Sequence, residues 1–142
     1  MKRLLCAALC LALLLLAACA AKQAEPPQGV LAFCGAALTA QEVECLTYRY
    51  TMDTPQTCET REQAEIARVV EALSAAEVGA PSGLRATDSE QSLTFTLTDG
   101  GSVTIQFEGH NLLVDGEAYT LSGDAALWRL ASRLRRGEPV TG

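Results

Sequence analysis

Positive charge is scarce in this sequence: 11 Lys and Arg face 17 Asp and Glu in 142 residues, a formal net charge of −6. That balance excludes nucleic acid as a partner, because phosphate binding needs a basic surface. Histidine occurs once, at His110, and no two of Cys34, Cys45 and Cys58 have the close spacing of a zinc knuckle, so no metal site is expected. The sequence has no phosphate-cradling glycine-rich loop, no paired-histidine zinc-protease motif and no nucleophile elbow. Large apolar side chains are also short outside the N-terminus. Residues 1–18 hold 16 apolar residues, and beyond them Leu, Ile, Val and Phe make up 26 of 124, about 21%, just above the level at which a highly charged chain stays disordered. What remains suits one small domain with a modest core.

The N-terminus carries the strongest signal. Lys2 and Arg3 form a positive n-region, and the apolar stretch over residues 4–16 is thirteen residues long, the length of a secretory h-region and short of the ~20 that span a bilayer. Leu16-Ala17-Ala18-Cys19 follows. This run resembles the lipobox of bacterial lipoprotein precursors: a Leu, two small residues and an obligatory Cys. The resemblance implies a diacylglyceryl thioether on Cys19, cleavage between Ala18 and Cys19 by a dedicated signal peptidase, and Cys19 as the mature N-terminus. Two other readings stay open, an uncleaved membrane helix over residues 4–21 and an ordinary cleavable signal with an incidental cysteine. Two acyl chains, at ~0.8 kcal/mol per buried methylene, anchor stably where one is marginal. Loss of Lys2 and Arg3 takes the formal charge to −8.

Processing also sorts the six cysteines. Cys6 and Cys10 leave with the signal, Cys19 is lipidated, and Cys34, Cys45 and Cys58 remain. Export implies a compartment that permits disulfides, so one bridge between two of these three and one leftover thiol is expected. Loop closure does not choose the pair, since the candidate rings of 12, 14 and 25 residues differ by well under about 1 kcal/mol.

Residues 19–29 are polar and carry Pro26 and Pro27, reading as a tether of at most ~35 Å. Residues 30–142 then form a single domain. Leu46, Tyr48, Tyr50 and Met52 alternate along a strand within residues 43–52. Thr60 and Gln63 have capping-box spacing, and Ile66, Val69, Val70 and Leu73 predict an amphipathic helix over 60–77, stopped by Gly79 and Pro81. Residues 80–91 read as an irregular loop. Leu93, Phe95 and Leu97, then Val103, Ile105 and Phe107, alternate on either side of Asp99-Gly100-Gly101. Turns at 109–111 and 115–116 add strands at 112–114 and 118–121. Asp124 is placed as the cap of a helix running to Arg136, ended by Gly137 and Pro139.

The predicted architecture is α+β in two layers: strand, helix, four-strand antiparallel meander, helix, with both helices on one face of the sheet. The element order is similar to the repeat unit of TATA-binding-protein-like folds, in topology alone. The hairpin pattern over residues 93–121 resembles small uncharacterised lipoproteins of Gram-positive bacteria, which brings no activity with it.

No acid, base and nucleophile set is visible, so the chain is not expected to be an enzyme or to carry a cofactor. His110 reads as a solvated turn residue, and Tyr48 and Tyr50 read as sheet residues. Trp128 lies at the edge of the last helix's apolar stripe. Arg129, Arg133 and Arg136, with Arg135, place positive charge near that helix's C-terminus, either as a solvated cap or as a contact with anionic lipid or a protein partner. A second polar face, with Thr94, Thr96, Thr98, Ser102, Thr104 and Gln106, is expected on the sheet. The function expected is a lipid-anchored, extracytoplasmic binding, accessory or sensor domain at the cell envelope, held to the membrane by lipid on Cys19. The alternative is an inhibitor or immunity-type protein that presents the 80–91 loop to an enzyme.

Overall fold

A computed structural model describes residues 27–51, 54–84 and 89–137. The expected signal peptide, Ala18 and Cys19, the first part of the tether, Met52, the centre of the 80–91 loop and Pro139 lie outside the described residues. The protein is α+β and mostly strand. Eight strands form one antiparallel sheet: β1 (Gln28–Gly29), β2 (Val43–Tyr50), β3 (Gln56–Thr60), β4 (Glu77–Pro81), β5 (Glu90–Leu97), β6 (Ser102–Glu108), β7 (Asn111–Val114) and β8 (Glu117–Ser122). Their spatial order is β1-β4-β8-β7-β6-β5-β2-β3. Three helices accompany them: α1 (Val30–Phe33), α2 (Gln63–Ala75) and α3 (Ala125–Arg136), with a 3-10 turn at Ala40–Glu42.

The hairpin of β5 and β6 forms because both strands alternate in phase. Its register sets Leu93 against Ile105 and Phe95 against Val103. The turn is held by Asp99 Oδ1, which accepts from Gly101 N at 2.8 Å. β7 and β8 are joined through Asp115 and Gly116, both at positive φ as a type I′ turn requires. β2 then pairs with β5, bringing Leu46 beside Phe95 and Tyr48 beside Leu93. On the opposite face Thr94 and Thr104 share a hydroxyl hydrogen bond of 3.0 Å, and this face stays polar.

Three expectations are corrected. α2 begins at Gln63, not Thr60, because Thr60 remains in β3 opposite Leu46 and its hydroxyl accepts from Glu62 N at 3.1 Å. The residues expected to stop that helix, Gly79 and Pro81, belong instead to strand β4, which fills the position between β1 and β8. Pro81 is tolerated there because it ends the strand beside an irregularity in the β4–β8 ladder. The loop over 80–91 is shorter than expected, since β4 claims its first two residues and β5 its last two.

The core draws side chains from both long helices and from the sheet. α2 contributes Ile66, Val69, Val70 and Leu73, α3 contributes Leu127, Ala131 and Leu134, and the sheet contributes Phe95, Phe107, Leu93, Ile105 and Leu112. Each large side chain so buried is worth ~1.5–3 kcal/mol relative to exposure. α1 closes one end: Val30 and Leu31 are buried, and the Phe33 ring packs edge-on against Tyr119 of β8 at 4.9 Å.

Candidate functional site

At one end of the sheet's apolar face, the register of β6, β5 and β2 sets Phe107, Gln91 and Tyr50 in a row. The next row is Ile105, Leu93, Tyr48 and Cys58. Gln91 therefore occupies a position that alternation with Leu93 and Phe95 assigns to the core, and it is buried. Both ends of its amide have a partner. Oε1 accepts from the Tyr48 hydroxyl at 2.5 Å, and Nε2 donates to the carbonyl of Gly109 at 2.8 Å. Burial pushes the Tyr48 phenol up to about 12, against the lowering pull of the Arg135 guanidinium; Tyr50 and Cys58 add smaller upward pushes.

α3 crosses above this row. From Trp128 to Arg135 is seven residues, ~10.5 Å of helix, and from β6 to β2 is two strand spacings, ~9.6 Å. The helix therefore sets one residue over each end of the row. Trp128 packs edge-on against Phe107, with ring centroids 5.2 Å apart, and lies flat on His110 at 4.5 Å. Arg135 places its guanidinium 4.9 Å from the centre of the Tyr50 ring, a cation–π contact. The Trp128 indole N–H donates to the Asp124 carboxylate, which fixes the ring.

Between Trp128 and Arg135, α3 lines the site with Ala131 and Ser132, and their short side chains leave a cleft of about 360 Å³. Gln91 and Tyr48 form its floor, Tyr50, Trp128 and Arg135 its walls, and Ser89, Gly109 and His110 its rim. No carboxylate is among its described lining residues, although the chain as a whole is acidic. Aromatic walls, hydroxyl donors and one guanidinium make a site that favours a neutral or anionic ligand with a ring to pack, and that disfavours a cation.

Of the residues singled out in the sequence, Tyr48, Tyr50, His110 and Trp128 converge here. His110 is exposed in its turn, as expected, but its ring is held against Trp128. Arg129 and Arg133 do not join the cleft; they line a separate groove between α2 and α3. Arg136 borders a shallow depression on α3 together with Trp128 and Ser132. Cys34, Cys45 and Cys58 are three free thiols, and burial raises the Cys34 thiol above its ordinary value. Gln91, Ser89 and Ser132 escaped the sequence reading. Only Gln91 left a signal, as a polar residue in the apolar phase of β5.

Among the described residues no three His, Cys, Asp or Glu side chains are grouped to hold a metal ion, and no helix is long and apolar enough to cross a membrane. Compared with known protein families, curated proteins and solved structures, the chain matches none.

Proposed function

We propose that this protein is a lipid-anchored binding domain on the extracytoplasmic face of a bacterial envelope, and that the cleft between α3 and the end of the sheet takes its ligand. In this reading residues 1–18 are removed, Cys19 carries the lipid, and β5 to β8 form a meander with α2 and α3 side by side on one face. The observation that carries the binding role is the cleft itself. A buried Tyr48–Gln91–Gly109 hydrogen-bond chain fixes its floor, and Tyr50, Trp128 and Arg135 stand over it with no carboxylate among the described lining residues. A neutral or acidic saccharide fits this chemistry: its ring packs on the aromatic walls, its hydroxyls meet Ser89 and Ser132, and a uronic carboxylate pairs with Arg135.

Trp128 is the sole tryptophan of the chain, so its emission reports on the cleft directly. Titration of the mature protein with N-acetylglucosamine oligosaccharides and with glucuronic acid is expected to shift that emission saturably. Arg135→Ala abolishes the response to the acid and weakens that to the neutral sugar, while Tyr50→Ala weakens both. A flat response to both probes overturns the saccharide reading. The anchor is tested separately by the mass of the N-terminal peptide, which is expected to begin at Cys19 and to carry a diacylglyceryl group.

A further inference from the structure

Away from the cleft, α2 and α3 enclose a second concavity of about 470 Å³. Its floor is built from small residues, Ala72, Ala75 and Ala126, and its rim carries Arg68 from α2 with Arg129 and Arg133 from α3. Glu71 is the one carboxylate among its described lining residues. The charge is segregated: α3 holds four arginines and no acidic residue, in a chain whose formal charge is −6. The helix dipole accounts for Arg133, Arg135 and Arg136 in the last turn of α3. It does not account for Arg129 in the second turn.

A second observation concerns where the chain enters the fold. Val30 N donates to the carbonyl of Ala76 at 3.0 Å, and a Cβ on Gly29 would lie 2.6 Å from the carbonyl oxygen of Ser74. Ala75, between those two carbonyls, is part of the groove. The segment leading back to Cys19 therefore starts from the side of the domain where the arginines are gathered. Pro27 lies eight positions beyond Cys19, a reach of at most ~29 Å.

We propose that this groove receives the phosphate of an anionic phospholipid headgroup, docking α2 and α3 against the bilayer and fixing how the cleft is presented. The proposal rests on the lipid-anchor reading for its proximity to the membrane, and on the arginines for its choice of lipid. Three guanidiniums around an alanine floor gather positive charge about a concavity with room for a phosphate to enter. Near an anionic surface each is worth about a fivefold change in the docking equilibrium.

The test uses the mature protein in vesicles of phosphatidylcholine alone or mixed with phosphatidylglycerol, each doped with lipid brominated close to the headgroup. Trp128 adjoins Arg129, so its quenching reads whether α3 faces the bilayer. Quenching is expected in the phosphatidylglycerol vesicles and not in phosphatidylcholine alone, and it is expected to fall at high salt. Arg68→Gln, Arg129→Gln and Arg133→Gln each lower the docked fraction ratio about fivefold. Arg61→Gln, which breaks an exposed pair with Glu44, leaves it unchanged. Equal quenching in the two lipids, or full quenching in all three variants, overturns the groove proposal. The mass at Cys19 keeps the two readings apart. A lipidated chain with no lipid preference loses the groove and keeps the anchor, whereas an unlipidated chain that retains the preference keeps the groove and loses the anchor.

Discussion

Tyr48 and Gln91 form a polar pair across two adjacent rows of the sheet's apolar face, and each gives the other a partner. Removing only the hydroxyl, as in Tyr48→Phe, leaves Gln91 Oε1 buried without its donor. The cost is expected to be about 1–3 kcal/mol, read as a lower midpoint of urea unfolding. Adding Gln91→Leu to that variant removes the orphaned acceptor and recovers most of the loss. A double variant no better than the single one would mean that the Gln91–Gly109 bond carries the stabilisation instead. The phenol also links stability to pH. Its folded value, about 12, lies above the ordinary value of 10, so folding holds the proton on Tyr48. Its contribution is complete below pH 10 and is lost as the pH rises through 12. Tyrosinate absorbance is expected to show a phenol titrating near 12, and Tyr48→Phe should remove that step. The pair was only half legible in the sequence. Gln91 in a run of alternating Leu and Phe marks a polar residue turned inward, but the partner that satisfies it lies 43 residues away.

Elements whose apolar period was unbroken were legible as elements. β5, β6 and α2 announce themselves through Leu93, Phe95, Ile105, Phe107 and the Ile66–Val69–Val70–Leu73 stripe. β3 was not, because as an edge strand it exposes Gln56, Thr57 and Glu59 and offers Cys58 as its one apolar residue. β4 was hidden by Gly79 and Pro81, residues that break a helix but are compatible with a short strand whose place is set by β1 and β8. α3 was found, yet its start works differently from the sequence reading. Asp124 occupies the N-cap position, but its carboxylate makes no backbone cap and accepts instead from the Trp128 indole. A capping aspartate, once removed, frays its helix; this one, once removed, frees a ring. Asp124→Ala is expected to lose about 1–2 kcal/mol and to collapse the near-UV tryptophan dichroism while leaving the far-UV helical signal intact. Fraying in the far-UV with an unchanged tryptophan band would show that Asp124 acts as a cap after all.

At the scale of the molecule, the order of the sheet decides what the three thiols can do. Tyr48 pairs with Cys58, so Cys58 faces the apolar side of the sheet, while Cys45 pairs with Thr96 and shares the opposite face with Thr47 and Thr94. A bridge between Cys45 and Cys58 would have to pass through the sheet. Cys34 follows Phe33, whose ring packs on Tyr119 in β8, and β7, β6 and β5 lie between β8 and β2. At ~4.8 Å per strand, that distance is well beyond the ~7 Å between Cα atoms that a disulfide allows. Counting cysteines predicts a bridge because the count contains no topology, and the pairings that separate the thiols join residues far apart in sequence. Mass measurement without reductant is therefore expected to find Cys34, Cys45 and Cys58 all open to alkylation in denaturant. In the native protein Cys45, 6% exposed, should be protected, and Cys34 slowed by the raised value of its half-buried thiol. An intramolecular bridge between Cys45 and Cys58, formed without loss of the folded state, would contradict the strand pairing itself, because no local adjustment of a side chain brings opposite faces of one sheet together.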